Sequence, residues 1–241
     1  MKKAIVVGAS SGLGFEVAKI LINDGWRVGI AARRFVLLRQ LVAIAPDRVT
    51  AAAIDVTAAD APELLRTLIA DIGGVDLFFM SSGVGWQNLQ LEDATEAATV
   101  ATNGLGFARM VGEAFRHMAC HGGGHIAAIT SIAGTKGLGA APAYSATKAF
   151  QNTYLQALEQ LAAIRRLPFT FTDIRPGFVA TALLGHSPRY PMLMRPEAVA
   201  RRAVKAVYKR RHKVVIDWRW AALTALWRLI PDCLWRHLRV H

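Results

Sequence analysis

Short apolar runs alternate with stretches of helical periodicity along nearly the whole 241-residue chain. The runs lie at 4–7, 27–32, 49–53, 77–80, 125–130, 169–174 and 213–216. A segment that is apolar on both sides has no face to give to water, so such runs belong to a parallel sheet covered by helices. The helical patterns between them fall at 13–23, 35–44, 62–71, 96–120, 144–164 and 196–210. Seven strands joined by six helices predict an α/β fold, a three-layer, doubly wound sheet of seven parallel strands. Right-handed crossovers then put ligands at the carboxyl ends of the strands, so chemistry is sought in the segments just after each one.

After the first strand comes Gly8-Ala9-Ser10-Ser11-Gly12-Leu13-Gly14, leading into a helix. Small residues there let backbone amides approach a pyrophosphate, and the helix N-terminus favours its charge. The second strand ends in Arg33-Arg34, where a site for an unphosphorylated ribose would place an acid. Paired guanidiniums suit a 2′-phosphate, and hence NADP(H); the alternative is a solvated start to the next helix. Asp55 and Val56 follow the third strand, with Asp55 open to a simpler role as a turn cap.

Ser131 follows the fifth strand, and Tyr144 and Lys148 stand four apart on the next helix, so their side chains leave one face. A phenol titrates near pH ~10, and a neighbouring ammonium favours its phenolate, which turns Tyr144 into a usable acid or base. A hydroxyl at Ser131 is suited to hold the oxygen on which charge develops.

Gly8-x-x-x-Gly12-x-Gly14, the 129–134 segment, Tyr144-x-x-x-Lys148 and Arg175-Pro176-Gly177-Phe178-Val179-Ala180-Thr181 stand in the order found in short-chain dehydrogenases/reductases. The chain resembles that family from Lys3 to about Thr181. The resemblance implies a Rossmann fold and a nicotinamide cofactor, with Tyr144 and Lys148 touching it. Ser10, Ser11 and Leu13 of the glycine-rich turn would line its phosphates, and Pro176, Gly177, Val179 and Thr181 its carboxamide. Asn103, in Asn103-Gly104-Leu105-Gly106, resembles the family residue that completes a tetrad by positioning a water beside the lysine; a buried amide at a helix kink is the alternative. Where the family usually has Asn-Asn-Ala-Gly after the fourth strand, this chain has Met80-Ser81-Ser82-Gly83, which puts cofactor affinity or stability in question but leaves Ser82 and Gly83 facing the adenine side.

The resemblance also places Val84, Trp86, Gln87, Gly137, Leu138 and Phe178 around the substrate, under a lid near 182–195 in which His186 is a surface residue. These are mostly apolar, implying a hydrophobic carbonyl or alcohol substrate. The expected domain spans 1–217. Beyond it, 218–241 is a basic extension with four of the six tryptophans, Trp218, Trp220, Trp227 and Trp235. It would pack on its own lid or another subunit, or lie as an amphipathic helix on a membrane surface.

The net charge of +12 is concentrated late: residues from Arg189 on carry 13 basic and three acidic side chains. A basic surface without a recognition motif gives only non-specific nucleic-acid affinity, so no specific nucleic acid is expected. Two distant cysteines, Cys120 and Cys233, form neither a disulfide framework nor a metal set. No apolar stretch reaches the ~18 to 20 residues of a membrane span, and the N-terminal run is too short for a signal segment. A cytoplasmic protein, soluble or peripheral to a membrane, fits. The expected activity is NADP(H)-dependent interconversion of a ketone and a secondary alcohol by a homodimer or homotetramer; a catalytically idle NADP(H) sensor or scaffold is the alternative.

Overall fold

The computed structural model describes residues 1–184 and 190–238. Its seven parallel strands are β1 (Lys3–Val7), β2 (Arg27–Ala32), β3 (Val49–Ala53), β4 (Leu77–Met80), β5 (Gly124–Ile129), β6 (Phe169–Arg175) and β7 (Lys213–Val215). They run in the order β3-β2-β1-β4-β5-β6-β7, the Rossmann arrangement expected from the sequence. Alternate residues feed the two faces. Val6, Ile30, Phe79 and Ile174 pack on one side with α1 (Gly12–Asn23), α2 (Phe35–Val42) and α7 (Pro196–Tyr208). Ile5, Phe78, Met80 and Ile126 pack on the other with α3 (Ala61–Asp71), α5 (Phe107–Cys120) and α6 (Pro142–Ile164).

The fourth helical segment departs from expectation. Instead of one helix over 96–120, α4 (Asp93–Val100) passes into a π-helical turn, Ala101–Gly106, before α5. The turn carries Asn103, which is fully buried. A π-helical turn inserts one extra residue into an α-helix, and such turns are frequent at functional positions. After β7 the chain continues into α8 (Trp218–Leu229) and α9 (Asp232–Trp235). No helix among the described residues is long and apolar enough to cross a membrane.

Candidate active site

The strand order reverses between β1 and β4, and the crevice outside their carboxyl ends is where a doubly wound sheet takes a ligand. Gly8 ends β1 at φ +89°, and a Cβ there would lie 2.5 Å from the Ser82 amide nitrogen. Only glycine allows the turn after β1 and the loop after β4 to meet in this way. Ser11 precedes α1 in an extended conformation, and its side chain makes no capping bond. The amides of the first turn of α1 are therefore not closed off by a cap, which suits an anion. The Ser10 and Ser11 hydroxyls instead accept from Arg34 Nη2, at 3.3 and 3.0 Å.

Arg33 and Arg34 are both exposed beside this turn, with no acid at the end of β2. Asp55 accepts from the Thr57 amide and hydroxyl at 3.0 and 2.8 Å, closing the turn after β3. Burial pushes its carboxyl up, but the Thr57 bonds and the Arg33 charge together hold it below the usual value. Val56 beside it is buried.

Across the crevice, Ser131 caps the short helical turn Ile132–Thr135, its Oγ accepting from the Ala133 amide at 3.0 Å. Tyr144 lies in the first turns of α6. Burial raises its phenol, and a hydrogen bond with Ser131 partly opposes that rise. The lowering expected from Lys148 is not among the causes acting on this phenol, whose net shift is upward, so it is protonated at neutral pH. Lys148 Nζ lies 5.7 Å from the centroid of the Tyr144 ring. The Lys148 side chain is 4 % exposed and donates to Ile129 O at 3.3 Å and Gln151 Oε1 at 2.9 Å. Burial lowers its ammonium to about 8, against the opposing pull of Asp173. Asp173 is itself paired with Arg175 and accepts from the Thr130 hydroxyl.

Asn103 is clamped by the loop after β4: its Oδ1 accepts from Val84 N at 2.9 Å and its Nδ2 donates to Val84 O at 2.7 Å. A third contact runs from Nδ2 to the Thr147 hydroxyl at 3.3 Å. A Cβ on Gly83 would stand 3.3 Å from Asn103 Oδ1 and 3.6 Å from Lys148 Nζ. The four residues expected to act together thus converge on one pocket.

The short chain dehydrogenase family matches residues 2–189. The chain belongs to that family. It is 32% identical to an uncharacterised oxidoreductase of Myxococcus xanthus, over 97% of this chain and 94% of the relative. It is 29% identical to an uncharacterised oxidoreductase of Mycobacterium tuberculosis, over 98% and 96%. An alcohol dehydrogenase from Thermococcus sibiricus, solved with 5-hydroxy-NADP, superposes with a TM-score of 0.79 at 22% identity, over 90% of this chain and 96% of that one. A 3-ketoacyl-(acyl-carrier-protein) reductase from Brucella melitensis, solved with NADH, gives the same TM-score at 20% identity and the same coverage. Both share the fold, and this chain is an oxidoreductase of the family.

On the C-terminal side of its site, Thr181 closes over the glycine-rich turn: a Cβ on Gly12 would meet Thr181 Cγ2 at 3.3 Å. Val179 is buried and bridges to Met194, tying the two ends of the expected lid together. Ala182–Leu184 forms a single helical turn, whereas His186 lies outside the described residues. Tyr190 packs on Phe178 with ring centroids 4.6 Å apart. The tail packs on its own chain. Trp220 lies against Gly177 and edge-on to Phe178, 5.5 Å between centroids. Trp235 Nε1 donates to Gly137 O at 2.7 Å, and Lys136 pairs with Asp232. The tail therefore holds both the Pro176-Gly177 segment and the loop at 136–138.

Four participants carry no local sequence signal. Gly85 lies against the Tyr144 ring. Glu96 accepts from the Ala143 amide at the start of α6 and from Asn88 Nδ2. Gln151 touches Lys148.

Proposed function

We propose that this oxidoreductase is an NADP(H)-dependent carbonyl reductase acting on a hydrophobic ketone, with its secondary alcohol as product. The observation that carries this is the Tyr144 phenol held beside Ser131, with the Lys148 ammonium 5.7 Å from its ring centroid. The cofactor fits the residues present. The α1 N-terminus has no side-chain cap, and the Ser10 and Ser11 hydroxyls meet the Arg34 guanidinium, with Arg33 exposed beside it, where a ribose 2′-phosphate would be held. Ser82, Gly83, Asp55 and Val56 would bound the adenine side, and Pro176, Gly177, Val179 and Thr181 the carboxamide side.

When bound, the nicotinamide supplies the hydride that the carbonyl carbon receives. Tyr144 donates its proton to the carbonyl oxygen as negative charge grows there. Ser131 donates a hydrogen bond to the same oxygen. Lys148 orients the ribose and stabilises the phenolate left behind, while Asn103 fixes the floor of the pocket. The apolar side chains of Val84, Leu138 and Phe178 favour a hydrophobic substrate.

The test is titration with NADPH and NADH, followed by NADPH-consumption assays over ketones of increasing chain length and ring number. Wild type should prefer NADPH and turn over, and Tyr144→Phe should abolish turnover while still binding NADPH. Tight NADPH binding with turnover indifferent to Tyr144→Phe would favour a sensor.

A second element of the proposal concerns partners. Trp218, Leu226 and Leu229 form an exposed apolar stripe on α8, continued by Leu234 and Leu238 and flanked by exposed Arg219, Arg228 and Arg236. This suits peripheral contact with an anionic lipid surface. Failure to sediment with anionic liposomes at low salt would remove it. Exposed Phe150, Leu161 and Ile164 on α6 would serve a homodimer or homotetramer, to be read by light scattering.

A further inference from the structure

Gln151 is completely buried, lies three residues after Lys148 on the same face of α6, and belongs to none of the family motifs in the sequence. Its Oε1 accepts from Lys148 Nζ at 2.9 Å, and its Nε2 donates to the Asn103 carbonyl at 2.9 Å. The π-helical turn explains why that carbonyl needs a partner. In an α-helix the Phe107 amide would bond Asn103 O, but here it bonds Thr102 O and Gly104 O. A buried carbonyl left without a donor is costly, and the Gln151 amide satisfies it.

The contact is directional. An ammonium offers only donors and a carbonyl only acceptors, so a carboxamide between them fits in a single orientation. Of the three Lys148 donors, one goes to Ile129 O and one to Gln151, leaving one for the crevice. The resemblance to the family led to the expectation of a water between Asn103 and this lysine; here a side chain spans the gap.

We propose that Gln151 is a positioning residue: its carboxamide ties the Asn103 carbonyl to the Lys148 ammonium, fixing where the ammonium sits and taking the place of a bridging water. This rests on the carbonyl reductase reading for its effect on turnover, but the tie itself is testable without turnover. The charged and titratable groups that bear on Lys148 are Asp173 of β6, with its partner Arg175, and Tyr144 of α6. Only Gln151 is altered in the variants below.

The experiment uses the full chain as wild type, Gln151→Met and Gln151→Glu. Met keeps length and removes both polar contacts. Glu keeps the acceptor and adds a negative charge. The Lys148 titration is followed by NMR of 13C-labelled lysine, its signal assigned by loss in Lys148→Met, and kcat/KM for NADPH is profiled against pH in parallel. Gln151→Glu should move the Lys148 titration and the alkaline limb of the profile upward by at least one pH unit, and Gln151→Met should move both downward. Gln151→Met should also lower kcat tenfold or more with the dissociation constant for NADPH within threefold of wild type. If both variants titrate Lys148 where wild type does, the proposal is overturned, whatever happens to kcat. If the titration moves as expected but no ketone is turned over by wild type, the positioning role stands and the reductase reading falls.

Discussion

The backbone of Gly85 lies so close to the ring of Tyr144 that a Cβ at Gly85 would stand 2.6 Å from both Cδ2 and Cε2. The ring is thereby gripped between the loop after β4 and the body of α6. A methyl group must displace either loop or ring, and displacement of a reacting group by about 1 Å costs on the order of 100-fold in rate. Gly85→Ala should reduce kcat at least tenfold while NADPH affinity changes less than threefold, as read by steady-state kinetics and fluorescence titration. An unchanged kcat would mean that the phenol is not the proton donor or that the loop yields freely.

Arg34 reaches the Ser10 and Ser11 hydroxyls from the end of β2. A hydrogen bond to a charged group contributes about 1.5–3 kcal/mol, which is roughly 10- to 100-fold in binding. Arg34→Ala should weaken NADPH by that factor and leave NADH nearly unaffected. Equal weakening of both cofactors would place the guanidinium on the shared pyrophosphate instead of the 2′-phosphate.

The Lys148 ammonium, lowered to about 8 by burial, loses its charge within the alkaline range of ordinary assays, whereas burial raises the Tyr144 phenol. Carbonyl reduction needs both protons in place. In the reductive direction, kcat/KM for NADPH should be flat near neutrality and fall as pH rises through about 8, because this parameter reports the free enzyme. A profile flat to pH 10 would contradict the assignment of Lys148.

His125 faces the Thr172 hydroxyl at 2.8 Å from β5, and burial, with the Arg210 charge, lowers its imidazole to about 4. The unfolded imidazole titrates near ~6.5, so between these values the unfolded chain binds the extra proton. The stability held by neutral His125 is therefore fully present above about pH 6.5 and is lost as pH falls toward 4, by up to about 3 kcal/mol. Denaturant unfolding of wild type at pH 7 and pH 5 should show a drop that is smaller in His125→Gln. Identical drops in both proteins would assign the acid sensitivity elsewhere.

Trp220 is 2 % exposed, and its ring rests on Gly177. Truncating a buried tryptophan to alanine removes about 3–5 kcal/mol. Trp220→Ala should lose that much in unfolding experiments and also raise the apparent KM for NADPH, since Pro176-Gly177 loses its backing. A loss under 1 kcal/mol would show that the tail rests only lightly on the domain.

Much of this was legible in the sequence because it is written in local pattern. The seven apolar runs match the strands to within a residue or so at each end, since each must be buried on both faces. The glycine-rich turn and the Tyr144-Lys148 spacing are likewise set by neighbours in the chain. What could not be read depends on contacts between distant segments. The π-helical turn at Ala101–Gly106 carries contacts from Asn103 to Val84 and Gln151 that no local pattern records. Gln151 acquires its meaning only when Asn103, 48 positions earlier, presents a carbonyl to it. The tail was open between self-packing and a membrane surface, because the tryptophans that pack inward and those that point outward lie on one short helix.

The clasp of Trp220 on Gly177 also orders events during synthesis. Every strand of the sheet leaves the ribosome before α8 does, and chains begin to fold as they emerge. The glycine-rich turn and the Tyr144 pocket can thus assemble in a nascent chain whose Gly177 segment still lacks its backing. Translation itself withholds the finished site until α8 arrives.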